Sequence, residues 1–372
     1  MLFVGTLPPP VHGSAVVSLQ IKESKLINET FQCDWVNLGT SRRMDEIGKR
    51  TLAKPFRFIW AWLQALWLLI THRYSLCYLA ITCHGVGFLK DAPFVLLARL
   101  FCKRRVIHQH NKGMSKDVDR WPYCWLLPLC YKNAKVILLS WHLYPDVEKV
   151  VPKENVHICP NGIKVTQESQ ISKKEEMKTN RTKGTKGIPR LLFLSNLIES
   201  KGVIVLLDAL RILVDKGYLF HCDFVGGETK EIDAKRFADE VDKRQLNKIV
   251  VYRGRKYGEE KERVFSSSDI FVFPTFYDNE CFPLVLLEAM QYGLPCVTTS
   301  EGGIADIVED GVNGLISEKQ NPESLADSIK ELLVDKELRI RMGIVGKKIL
   351  HEKFTEERFV EQIKDILLTI MS

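Results

Sequence analysis

Two glutamates eight positions apart, Glu280 and Glu288, stand in the chemically densest stretch of this 372-residue chain, Phe271 to Ile316. The pattern predicts a strand over 269–275 and a loop that sets Glu280 just ahead of a helix, which Pro283 opens and Gly293 stops. Glu288 then lies on that helix. An ionised carboxylate accepts from two donors at once, which suits a vicinal diol. The free N–H groups and positive dipole end of the helix N-terminus suit a phosphate. One short segment could therefore hold a sugar or ribose diol and a phosphate together. The plain alternative is a loop carboxylate and an exposed helix residue.

Two further strand-to-helix loops have the same character. In Ser300–Ile304 the paired Gly302 and Gly303 permit a ligand to approach the backbone closely. In Ser195–Gly202 the chain passes through Asn196 to Lys201, a point charge suited to a diphosphate. Near the N-terminus, a strand at Leu2–Gly5, a Pro/Gly loop and a helix from Ser14 make another anion-friendly geometry. Any one such loop is commonplace in α/β proteins; three from successive strand ends of one domain carry more weight.

The elements that must position these residues follow from periodicity. Strands are predicted over 75–82, 104–110, 134–140 and 155–160, with helical patterns between them. The alternation points to a parallel, doubly wound sheet. Residues 164–190 break it, with no apolar periodicity and many Lys, Thr and Glu, and read as a linker or surface loop. Alternation resumes with strands over 191–197, 220–227, 248–254, 269–275 and 295–300, and helices near 322–334 and 355–371 close the chain. The expected organisation is a first domain over 1–163, the linker, a second domain over 191–355, and a C-terminal helix over 356–372 that packs back on the first domain. Two doubly wound halves imply a cleft, and such sheets take ligands at the carboxyl ends of their strands.

Composition narrows the class. Forty-five per cent hydrophobic and 27% charged residues exclude disorder and fibrous repeats. Ten scattered cysteines without a C-x-x-C or zinc spacing exclude a disulfide scaffold and a zinc ribbon, and favour a reducing compartment. The first twenty residues lack a basic region and an apolar helix, so a cytoplasmic location is expected. Charge is uneven: residues 1–163 carry 21 Lys/Arg against 11 Asp/Glu, and residues 191–372 carry 24 against 32. An anionic partner on one side is implied. The longest apolar run, Phe58 to Ile70, holds Trp60, Trp62 and Trp67 and is flanked by Lys54, Arg57, His72 and Arg73. It is too short to span a bilayer, which takes about 20 residues. It reads either as a buried core helix or as an interfacial helix on an anionic membrane.

The pattern E-C-F-P-x-x-x-x-E-A-M-x-x-G-x-P-C-V, followed by S-E-G-G-I-A-D-I-V-E-D-G-x-N-G, resembles the donor-site signature of retaining glycosyltransferases of family 4, among them those of bacterial capsule, exopolysaccharide and lipopolysaccharide synthesis. P-P-P-V-H-G-S, H-Q-H-N, I-C-P-N-G-I and S-N-L-x-x-x-K-G-V resemble further motifs of that family in the same order, so the likeness covers nearly the whole chain. The resemblance implies the GT-B fold, two doubly wound Rossmann-like domains facing across a cleft. It places Gly13, Ser195, Asn196, Lys201, Phe282, Pro283, Leu284, Glu288, Gly302 and Gly303 around donor nucleotide and phosphate. Glu280 and His110 are implied at the donor sugar, with His108 second to His110. Where the family usually has arginine this chain has Asn196, which shifts the diphosphate onto Lys201. Asp306 stands for a usual glutamate, and Lys164 for an acid.

The activity implied is transfer of a sugar, with retention, from a UDP- or GDP-sugar to a hydroxyl of a glycan or polyprenyl-diphosphate-linked acceptor. No cofactor is implied. Metal-independent transfer is expected, because the one D-x-D, Asp117-Val118-Asp119, falls outside the donor loops. Rival readings are a GT-B sugar-nucleotide epimerase and a non-catalytic nucleotide-sugar binder. An oxidoreductase would need G-x-G-x-x-G after the first strand, which Pro8–Ser14 does not supply. No nucleic-acid reading motif accompanies the basic half. Peripheral attachment to the inner face of the plasma membrane fits both the Trp-rich run and a lipid-linked acceptor.

Overall fold

The computed structural model describes residues 1–9, 13–39, 53–165 and 187–372. It divides into two units, Met1–Gly162 with Glu356–Ser372, and Ile163–Thr355. Most of the segment expected as a linker, and the centre of the P-P-P-V-H-G-S loop, lie outside the described residues.

In the first unit the strands β1 (Leu2–Gly5), β2 (Asp34–Asn37), β3 (Cys77–Ile81), β4 (Arg105–Gln109), β5 (Lys135–Leu138) and β6 (Val156–Ile158) run in the order β2-β1-β3-β4-β5-β6. All pairs are parallel. The helices between them are α1 (Gly13–Glu23), α2 (Lys25–Thr30), α3 (Ala53–Thr71), α4 (Gly85–Phe101), α5 (Met114–Asp117) and α6 (Tyr123–Tyr131). β1 and β4 are buried along their whole length, as strands covered on both faces must be. The sequence pattern does not announce β2: in Asp-Trp-Val-Asn only Val36 is fully buried, so this edge strand lacks an apolar run.

One core of this unit gathers Phe3, Val17, Ile21, Ile27, Tyr78, Val106 and Ile137 with Phe359, Val360, Ile363 and Leu367. The last four come from the C-terminal helix Glu356–Met371, which covers the sheet beside α1 and α2. Its apolar residues recur at helical spacing, so one face is hidden against β1, β3 and β4 while Glu and Lys stay outside.

In the second unit β7 (Arg190–Leu194), β8 (His221–Val225), β9 (Val250–Tyr252), β10 (Ile270–Phe273), β11 (Cys296–Thr298) and β12 (Gly314–Ile316) form a parallel sheet in the order β12-β11-β10-β7-β8-β9. Its helices are α7 (Val203–Asp215), α8 (Ala234–Lys243), α9 (Gly258–Ser266), α10 (Leu284–Gln291), α11 (Ile304–Ile307), α12 (Pro322–Val334) and α13 (Lys336–Lys353). α13 escapes the sequence pattern because two of its buried positions are glycines. A Cβ at Gly343 would lie 2.1 Å from the Gly293 carbonyl oxygen, so helix and loop meet backbone to backbone and apolar periodicity is weak.

Both sheets are doubly wound, as the alternation predicts. The chain leaves β1 for β2 and returns to β3; it leaves β7 for β8 and β9 and returns to β10. Each reversal creates a switch point where the flanking loops diverge and a ligand can enter. Because the C-terminal helix closes the first core, Phe359→Ala should destabilise that unit by about 3–5 kcal/mol. Chemical denaturation followed by circular dichroism checks this, and an unshifted transition would show that the helix contributes little.

Candidate functional site

The switch point of the second unit lies between β7 and β10, and the loops that leave these strands carry Lys201 and Glu280. Lys201 Nζ stands 2.5 Å from Glu280 Oε2, with the two side chains only 14% and 10% exposed. Thr275 Oγ1 also donates to that oxygen at 3.5 Å, and the ammonium lies over the Tyr277 ring, 4.4 Å from its centroid. Backbone bonds lock the two loops together: Phe276 N donates to Ser200 O at 2.8 Å.

Two glycines make this closeness possible. Gly202 has φ +86°, and a Cβ there would lie 2.2 Å from Pro274 O. Gly302 has φ +56°, and a Cβ there would lie 2.2 Å from Glu280 O. Side chains other than hydrogen are excluded on both counts. The loop from Pro274 to Glu280 is thus clamped from both flanks. Gly303 N donates to Cys281 O at 2.7 Å, so this N–H shapes the loop. Glu301, buried beside it, is held by Lys319 at 2.7 Å.

The other residues of the expected donor set take distinct places. Ser195 ends β7, its N–H bonded to Val225 O. Asn196 Oδ1 accepts from Gly227 N at 3.2 Å, so the amide that replaces the family's usual arginine ties down the loop after β8. Phe282 is buried with its ring against Phe354, so its side chain packs inside the unit. Pro283 is the residue before the first turn of α10, and Leu284 begins it. Glu288 lies on α10, and its Oε1 accepts from Lys261 Nζ of α9 at 2.7 Å.

In the first unit the sequence candidates lie along the carboxyl edge of the other sheet. Gly13 opens α1 with no atom within 4 Å of where its Cβ would be, so backbone can be approached there. His110 follows β4 and is half-buried, its ring 4.1 Å from that of His108. His108 is fully buried on β4, with Nδ1 hydrogen-bonded to the Tyr78 hydroxyl. Burial, and then the neighbouring His110, push its pKa well below the usual histidine range, so it is neutral. His108 is sealed off entirely, whereas His110 is half-buried with its two ring nitrogens also shut off from solvent. The loop beyond His110 is fixed by Asp146, which accepts from Gly113 N, Met114 N and Ser115 N.

Lys261, Lys319, Thr275 and Tyr277 are residues that sequence reasoning missed. The two lysines meet Glu288 and Glu301 from other elements, and no short motif signals them. Asp117 accepts from Gly85 N and pairs with Arg120, while Asp119 pairs with Lys149. The formal D-x-D therefore has local structural duties. Among the described residues no group of three or more His, Cys, Asp or Glu is arranged to hold a metal ion.

Two doubly wound parallel sheets, one with a buried cation–carboxylate pair at its switch point, define a GT-B-type α/β protein. Residues 172–349, just under half of the chain, match the family model described as "Glycosyl transferases group 1", in agreement with the resemblance read from the motifs. An uncharacterized glycosyltransferase of Methanocaldococcus jannaschii, MJ1607, is 25% identical over 63% of this chain and 60% of its own length. The capsular polysaccharide biosynthesis glycosyltransferase CapM of Staphylococcus aureus is 27% identical over 48% of this chain and 46% of its own. The chain thus matches about half the length of such relatives. Anabaena Alr3699/HepE, solved in complex with UDP and glucose, has the same fold, with a TM-score of 0.70 at 17% identity over 98% of each chain.

The buried pair is open to a direct test. Lys201→Met strands the Glu280 carboxylate and should cost about 3–5 kcal/mol, most of it recovered when Glu280→Leu is added. Urea unfolding of the single and double variants decides this: a single variant as stable as the parent would sink the account.

Proposed function

We propose that this protein is a retaining glycosyltransferase that moves a sugar from a UDP- or GDP-sugar to a hydroxyl of a glycan or lipid-linked oligosaccharide in surface-polysaccharide synthesis. The observation that carries the reading is the Lys201–Glu280 pair at the switch point of the second sheet. A cation and an acceptor held there, nearly out of water, match the diphosphate and the sugar hydroxyls of such a donor. Glu288 on α10 takes the ribose diol, with Lys261 holding its other oxygen away.

Negative charge grows on the leaving diphosphate as the glycosidic bond breaks. Lys201, together with N–H groups at the start of α10, supplies the compensating positive charge, and preorganised donors of this kind stabilise such a transition state strongly. No metal is needed for this balance. The relatives named for capsular, amylovoran and colanic acid synthesis support a polysaccharide acceptor and transfer over epimerisation. A polyprenyl-diphosphate-linked acceptor places the reaction at the inner face of the plasma membrane.

Two experiments test this reading. Glu288→Gln should weaken nucleotide-sugar binding by roughly 1–3 kcal/mol, the scale of a lost charged hydrogen bond. Calorimetry with a panel of UDP- and GDP-sugars measures it, and unchanged affinity removes Glu288 from the diol. Turnover with the best donor should survive EDTA; loss that only Mg²⁺ or Mn²⁺ restores would refute metal-independent transfer.

A further inference from the structure

The first unit hides its apolar residues well on one side of its sheet and leaves them in the open on the other. From β2 onward the chain crosses the sheet in one direction through β3, β4 and β5. Right-handed crossovers therefore place α3, α4 and α6 on one face, opposite α1, α2 and the C-terminal helix. The contacts agree: α3 packs on α4 and α4 on α6, while the C-terminal helix packs on α1 and α2.

α3 is apolar on both sides. Ala61, Ala65 and Leu69 are buried against the protein, and Phe58 meets Phe94 edge-on. Phe56, Ile59, Trp60, Leu63, Trp67 and Ile70 are exposed along the opposite side, Trp60 by 72% and Trp67 by 66%. Trp62, grouped with these two in the sequence, is half-buried and does not belong to the exposed face. On the neighbouring helices Leu100, Phe101 and Trp125 are exposed as well. Large apolar side chains exposed side by side in this way mark an interaction surface.

Charge says what covers it. Between Glu46 and Asp117 the chain carries one carboxylate, Asp91, against twelve lysines and arginines. Asp91 is 2% exposed and paired with Lys90. The layer formed by α3 and α4 therefore shows solvent no carboxylate. From Phe58 to Thr71 there is no charged residue at all, and cations bound that stretch at both ends. Helices between parallel strands run the same way, so exposed Arg73 after α3 and Lys103 and Arg104 after α4 share one edge of the layer.

We propose that this outer layer is a membrane-docking surface, which beds the aromatic face of α3 in the headgroup region of an anionic bilayer and sets Arg73, Lys103 and Arg104 on lipid phosphates. Tryptophan side chains suit that boundary, and basic residues beside an anionic leaflet add to apolar burial. Among the described residues no helix is long and apolar enough to cross a membrane, so attachment here is lateral. A second helix is the competing occupant, since Phe56, Trp60, Leu63, Trp67 and Ile70 follow coiled-coil spacing. Such a partner is specified by charges flanking the seam, and here the flanks after Arg57 (Ile59, Gln64, Leu66 and Thr71) are all uncharged.

The test uses the full-length protein and vesicles of phosphatidylcholine alone or mixed equally with phosphatidylglycerol. Co-sedimentation should be confined to the anionic vesicles and should fall with salt. Trp60→Ser with Trp67→Ser, both at exposed positions, should weaken binding about tenfold or more. Arg73→Glu with Lys103→Glu should weaken it too, and does not depend on the aromatic positions. Unchanged thermal unfolding and unchanged donor affinity by calorimetry show that the variants remain folded, and keep this proposal separate from the donor-site reading. Equal binding to both vesicle types overturns it, as does full binding by both variants. It is equally overturned if sedimentation velocity shows a dimer that the tryptophan variant splits while anionic vesicles leave it intact.

Discussion

An ammonium against a carboxylate, both nearly sealed from water, organises the carboxyl edge of the second sheet. Lys201 and Glu280 are seventy-nine residues apart, and they meet because β7 and β10 are neighbours at the point where the chain reverses direction. Taking two charges out of water costs several kcal/mol per ion unless geometry is tight, and tightness demands that both loops be fixed. That requirement explains the glycines: Gly202 and Gly302 allow the backbone to close on Pro274 and Glu280 where any Cβ would collide. The same desolvation makes the pair useful. A cation and an acceptor kept short of water partners interact more strongly with any polar group than they would in water.

What could be read from the sequence, and what could not, follows from range. The doubly wound class was legible because parallel strands buried on both faces appear as apolar runs between helical patterns. Glu280, Glu288, Lys201 and the glycine loops were legible because each sits within a short strand-to-helix motif. Lys261 and Lys319 were not, since their partners lie on other elements and nothing local marks a lysine that will reach one. The packing of the Phe282 ring against Phe354 was not legible either, because its partner lies more than seventy residues further along the chain. β2 and α13 escaped for a packing reason, one being a short edge strand and the other a helix that packs through glycine.

In the first unit a different economy holds His110 in place. Tyr78 on β3 and His108 on β4 form a buried hydrogen-bonded pair, and the His110 ring lies tilted against that of His108. Neutral His108 has two roles open to a sealed imidazole, to fill volume and to orient neighbours. The Phe359 ring from the C-terminal helix lies 6.4 Å from it. The helix that closes the core therefore also backs the strand that leads into His110, which ties a terminal element to the carboxyl edge of the sheet.

The two sides of α3 answer to different demands. A parallel sheet needs helices on both faces, so Ala61, Ala65 and Leu69 must be apolar whatever the protein does. Nothing in the fold requires Phe56, Trp60 or Trp67 to be so. Polar side chains there would leave the core untouched and would improve solubility in water. A helix that is apolar all round belongs in a core or against a membrane, and among the described residues this one is covered on one side. The absence of any exposed carboxylate on α3 and α4 is a second, independent bias, because neither packing nor strand pairing selects against Asp or Glu on an outer face. Apolar burial alone would suit many partners, and positive charge alone would suit any polyanion. Both on one layer, with cations at the ends of an uncharged aromatic helix, narrow the partner to a surface that is apolar in depth and anionic at its rim.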